Sequence, residues 1–154
     1  MNIPRTDRLR QAQWEADRHA TVLAHALAEW QGLPAAPSLA EIESDAQLRQ
    51  LTDQILFRFM KLQDSLGERL IPATLDALTE PFEDRPMRDR IDRLEKLGYL
   101  DVNRWLRWRD LRNRLAHEYP DAPDLREAQL RAAIAGAVDM VAAYRDWVAR
   151  LPRA

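Results

Sequence analysis

The chain contains no cysteine, so disulfides, thiolate zinc sites and thiol nucleophiles are excluded, and nothing in it requires an oxidising compartment. Glycine is nearly as scarce, at 4 of 154 residues, and aromatics make up only 7%. With Leu, Ala, Arg, Glu and Gln dominant, that scarcity favours helix over sheet. No run approaches the roughly 18–20 apolar residues of a membrane span, and Met1 to Asp7 lack the apolar stretch of a signal peptide. A soluble, cytoplasmic protein without a membrane partner is therefore expected. An excess of one charge is missing too: 23 Lys and Arg against 25 Asp and Glu leave a net charge of -2. Any nucleic-acid binding must come from a local patch.

What is present is helical rhythm. The length suits one domain over residues 1–154 with a single core. Leu9, Ala12, Ala16, Ala20, Leu23, Leu27 and Trp30 recur at three and four, which predicts a first helix from about Thr6 to Trp30. Gly32 to Pro37 is a connector, and Ser38 with Glu41 has capping-box spacing. The strongest stripe is Leu48, Leu51, Ile55, Phe59, Leu62, Leu66 and Leu70, broadened by Phe57 and Met60, with Pro72 expected to interrupt it and Ala73 to Leu78 read as a short continuation. A third helix is predicted from Met87 to Leu97, stopped by Gly98, and a fourth from Val102 to Glu118, capped by Asp101. The fifth runs from Leu125 to Arg150 with Leu130, Ile134, Val138, Val141 and Val148 on one stripe. Short connections imply an all-α antiparallel bundle of four to five helices.

The fourth helix carries an unusual mixture. Arg104, Arg107, Arg109, Arg112 and Arg114 accompany Trp105, Trp108, Leu111 and Leu115, with Asp110 as the one carboxylate among them. Such a run by itself reads as a solvated, salt-bridged face. Its end is more specific, because Arg112, Asn113, His117 and Tyr119 precede Pro120. Asn113 and His117 are four apart and share a helical face, so the amide can orient the imidazole. Arg112 and His117, five apart, point in different directions on an ideal helix. Three arrangements bring them together: the arginine wraps round, the helix loosens before Pro120, or two subunits share the site. The last is favoured, since a two-fold pairing brings two copies into one cleft.

Arg-Asn-x-x-x-His-x-Tyr at the end of an arginine-bearing helix in a small bundle resembles the HEPN family. It is similar in particular to HepT-type toxins and to the proteins once described as nucleotidyltransferase substrate-binding subunits. The resemblance implies a single HEPN-like domain, a homodimer, and a metal-independent endoribonuclease toxin of a toxin-antitoxin pair. Arg112, Asn113 and His117 occupy its catalytic positions, and the implied substrate is RNA. It also implies a nucleotidyltransferase antitoxin that transfers AMP to the tyrosine two residues past the histidine, here Tyr119. No cofactor is implied.

The chemistry is coherent without the family. Attack by a ribose 2′-OH needs proton transfer, which a histidine titrating near neutrality supplies, and charge stabilisation, which a bidentate arginine supplies. Arg109 and Arg114 can track the phosphate backbone. The alternative is a non-catalytic module of the same fold that binds a nucleotide or the partner enzyme. His117 would then merely stabilise the helix C-terminus, and Tyr119 would be a packed aromatic. His19 and His25, six apart with no acidic partner, make no metal set and are expected at the surface or its boundary. Glu41, Glu43, Asp45 and the mixed run Glu80 to Arg90 read as solvated surface and loop.

Overall fold

The computed structural model describes residues 3–117 and 119–153. Among them every regular element is helical: α1 (Arg5–Gln31), α2 (Leu39–Ser44), α3 (Ala46–Ser65), a π turn (Leu66–Leu70), α4 (Ile71–Ala77), α5 (Met87–Lys96), α6 (Val102–Leu115) and α7 (Pro123–Arg150). α3, the π turn and α4 run on without a break, so four long rods form the bundle and α5 is its short companion.

Local chemistry sets most boundaries. The Ser38 hydroxyl accepts the Glu41 amide at 3.2 Å to start α2. Asp45, expected to be a mere surface charge, starts α3 by accepting the Gln47 and Leu48 amides at 2.8 and 3.1 Å. Asp101 caps α6 through the Arg104 amide at 2.8 Å. Gly98, at φ +85°, closes α5 with the Gly98-to-Glu95 and Tyr99-to-Leu94 bonds of a Schellman stop. Thr79 ends α4 with the same pair of bonds, to Asp76 and Leu75, but at φ +57° with a β-branched side chain.

Pro72 does not interrupt its helix. The Ile71 amide reaches back to the Leu66 carbonyl, five residues rather than four, so the extra residue of the π turn lies just before the proline. Pro72 then falls in the first turn of α4, where a missing N–H costs little.

Ion pairs and contacts fix the directions. His19 meets Arg58 and Glu15 meets Arg69, so α1 and α3 are antiparallel. Asp64 meets Arg112, and Gly67 lies against Trp105, so α3 and α6 are antiparallel as well. A Cβ on Gly67 would sit 3.1 Å from the Trp105 ring, which is why the helices approach so closely there. Asp139 meets Arg104, and Gly136 lies under Leu111, giving α6 and α7 the same relation. α4 is gripped from two sides: Asp76 receives Arg5 and Arg8 of α1, while Thr74 Oγ1 accepts Trp147 Nε1 of α7 at 3.2 Å.

The core contains the predicted apolar stripes, with Leu23, Ile55, Phe59, Leu62, Leu66, Leu70, Ile91, Leu94, Trp108 and Trp147 fully enclosed. Two expected members are absent from it. Phe57 is exposed, because it lies opposite the Ile55–Phe59–Leu62 face, and Val138 is exposed while its neighbours Ala137 and Met140 are buried.

Candidate active site at the end of the sixth helix

α6 presents Trp105 and Trp108 to the core and arginines to both flanks. Arg104 is bound by Asp139, with Nη2 to Oδ1 at 2.7 Å, and lies over the Trp108 ring at 5.7 Å. The Trp108 indole donates to the same carboxylate at 3.0 Å. Burial opposes the charge of Asp139, but the bonds from Arg104 and Trp108 prevail and hold its pKa below the ordinary carboxylate value. This cluster fastens α6 to α7. Sequence reasoning saw the arginine and missed its role, because Asp139 lies 35 residues away.

Arg112 is the better-placed guanidinium. Its Nε and Nη2 meet Asp64 Oδ1 and Oδ2 at 2.9 and 3.1 Å, an edge-on bidentate pair. Those bonds raise its pKa above the usual arginine value, with Glu68 adding to the field. Of the five N–H groups of a guanidinium, the pair uses two. The remaining ones stay available on a side chain whose position is already fixed. Arg112 borders a cleft of about 320 Å³ between α3 and α6, where Asp64, Arg109, Asn113 and the Trp105 ring also lie. Thus Arg109, Arg112 and Asn113 come together.

Arg114 lies apart from them, in a one-turn pair with Asp110 at 3.1 Å on an exposed face. Arg109 is likewise exposed, but it borders the cleft.

The helix ends earlier than expected. α6 stops at Leu115, and the last amides tighten: Ala116 bonds to Asn113 and His117 to Arg114, each three residues back. His117 is therefore an exposed residue just beyond the helix, and among the described residues no hydrogen bond joins it to Asn113. The helix end before Pro120 is loosened, but His117 is not among the residues that line the cleft beside Arg112. Glu118, the expected last residue of the helix, lies outside the described residues.

Tyr119 is half-buried at the start of the turn into α7. One residue that sequence reasoning passed over controls that turn. Arg126 donates to the Tyr119 and Pro120 carbonyls at 3.0 and 2.9 Å and pairs with Glu43 at 2.8 Å. Glu43, expected to be merely solvated, thus anchors the Tyr119 turn to α2 through Arg126. The only local hint was a basic residue early in a helix, where the dipole disfavours it.

His19 and His25 sit half-buried and exposed, as expected. The His19 pKa is lowered by burial and then by Arg58, whose Nη1 lies 3.0 Å from Nδ1, so the ring is held neutral. Among the described residues no group of three or more acidic or histidine side chains is placed to hold a metal, and no helix is long and apolar enough to cross a membrane. Comparison with family models, curated proteins and solved structures gives no match.

Proposed function

We propose that this chain is a metal-independent endoribonuclease of the HEPN type, acting as a homodimer whose two α6 ends face one cleft. The observation that carries this reading is Arg112, held edge-on by Asp64 with free N–H groups at a cleft, five residues before an exposed histidine. In the proposed reaction a ribose 2′-oxygen attacks the adjacent phosphorus and the bond from phosphorus to the 5′-oxygen breaks. One proton leaves the 2′-OH, another reaches the departing 5′-oxygen, and a cyclic phosphate remains. His117 moves these protons. Arg112 holds the non-bridging oxygens as charge builds, Asn113 positions the scissile group, and Arg109, which borders the cleft, holds a flanking phosphate.

Purified protein is expected to cut RNA in excess chelator, and His117→Ala is expected to lose that activity. Equal cleavage by the two would overturn the assignment. The reading extends to a role as a cytoplasmic toxin, with control by a separate nucleotidyltransferase antitoxin. The Tyr119 phenol would lose its proton as its oxygen attacks the α-phosphorus of ATP and pyrophosphate leaves, adding a negatively charged group to the turn that follows α6. Intact-mass measurement after co-expression should show one added AMP, mapped to Tyr119. An unmodified mass beside an active partner would refute this step.

A second reading, a non-catalytic module that binds nucleotides or a partner, is favoured by two observations. Asp64 already occupies one edge of Arg112, and among the described residues no hydrogen bond joins Asn113 to His117. Saturable RNA binding without turnover would select it.

A further inference from the structure

Two large apolar side chains face solvent on adjacent helices: Trp14 of α1 is 66% exposed and Phe57 of α3 is 48% exposed. Each carries cations over its ring. The Arg18 guanidinium lies 6.0 Å from the Trp14 centroid, and Arg58 and Lys61 lie 5.6 and 5.7 Å from that of Phe57. The seam between the helices is crossed by the Arg58–His19 contact, and the charges of Arg18, over Trp14, and Lys61, over Phe57, both act on His19, so a run of cations links the two rings across the seam. Its acids are largely engaged. Glu15 pairs with Arg69 at 2.9 Å, and Asp17 accepts from the Tyr144 hydroxyl of α7. Asp53 is the exposed carboxylate one turn before Phe57. In a chain of net charge -2, this is a local cationic surface with two exposed aromatic rings.

The patch is also directed. At 3.6 residues per turn, Phe57, Lys61 and Asp64 fall on one outer face of α3, with Asp64 about 10 Å along the axis from Phe57. Asp64 is the partner of Arg112, so the face leads from the aromatics to the cleft beside α6.

We propose that this surface is a binding track for single-stranded RNA, with bases stacking on Trp14 and Phe57, phosphates held by Arg18, Arg58 and Lys61, and the strand running along α3 towards Arg112. The proposal rests on the ribonuclease reading for its choice of RNA and for the strand's destination. The surface itself selects the unpaired state. Exposed rings reward bases whose own faces are free, and a duplex hides them. Flexible cations beside the rings follow a backbone of any sequence, so recognition is sequence-tolerant.

The test uses His117→Ala protein, which leaves the RNA intact, and the fluorescence anisotropy of a labelled twelve-nucleotide oligouridine titrated at several salt concentrations. Trp14→Ala and Phe57→Ala are each expected to weaken binding about 5- to 100-fold, the range of one lost base stack. Trp14→Phe and Phe57→Trp should retain it. Arg18→Ala with Lys61→Ala should flatten the salt dependence, and a duplex of equal length should bind more weakly than the single strand. Unchanged affinity in both alanine variants, with melting curves like the parent's, would overturn the track. So would loss of self-association in Trp14→Ala at unchanged RNA affinity, which would make the patch a contact between copies. The two readings fail separately. Binding that needs Trp14 and Phe57 in a wild-type protein that never cuts RNA removes the nuclease and keeps the track; cleavage indifferent to both rings does the reverse.

Discussion

Trp105 and Trp108 stand three residues apart on α6 with similar burial and opposite polar environments. The Trp108 Nε1 donates to Asp139, whereas the Trp105 Nε1 is buried and meets no acceptor among the described residues. Replacing either by Phe removes comparable volume, but only at Trp108 does a hydrogen bond to a carboxylate disappear. Trp108→Phe is therefore expected to cost about 1–2 kcal/mol more than Trp105→Phe in chemical denaturation; equal losses would mean that the indole bond contributes nothing. At Arg112 the consequence is functional. Asp64→Asn retains the shape but removes the charge that holds the guanidinium edge-on, and should lower RNA cleavage about tenfold with little loss of RNA affinity, a split that simple unfolding would not give. His19 has its pKa lowered by burial and Arg58, so the unfolded chain binds its proton more readily than the native one. Stability from this site is then complete above about pH 6.5 and falls as pH drops below it through the native pKa. His19→Gln should flatten the melting temperature of the protein between pH 7 and pH 5.5.

At the level of the helices, starts and stops were legible because their causes are local. Ser38, Asp101 and Gly98 act on amides within a few residues, and each is found where the sequence placed it. Pro72 was misread for a related reason: a proline signals a break, but a π turn five residues long can place it at a helix start, and no residue pattern announces that turn. Phe57 and Val138 were assigned to apolar stripes by type although their angular positions lie off the buried face. Thr79 marks a helix end that departs from good local chemistry. Its φ of +57° disfavours a β-branched side chain, so Thr79→Gly should stabilise the fold by about 1 kcal/mol despite losing the hydroxyl contact to the Leu78 carbonyl. A lower melting midpoint in that variant would show that the hydroxyl matters more than the strain.

For the whole bundle, the all-α antiparallel architecture followed from periodicity and short connections, while the pairings that build the candidate site did not. Arg112 and Asp64 are separated by 48 residues, and Arg126 and Glu43 by 83, and sequence alone carries no register between helices. Arg112, Asn113, His117 and Tyr119 were legible as candidates because they fall within eight residues; the carboxylate that aims Arg112 and the arginine that ties down the Tyr119 turn were not. Arg126→Ala should speed proteolysis between Ala116 and Ala122 while the melting temperature changes little, since few apolar contacts are lost. The grip on α4 has a different consequence. Because Asp76 receives the first turns of α1 and neighbouring Thr74 receives Trp147 near the end of α7, the outer ends of the first and last helices lie at the same end of the bundle. The order in which the helices are strung is thus separable from how they pack: a circular permutant joined there by a short flexible linker and opened in the exposed connector between Pro34 and Ala36 should fold to the same helical content.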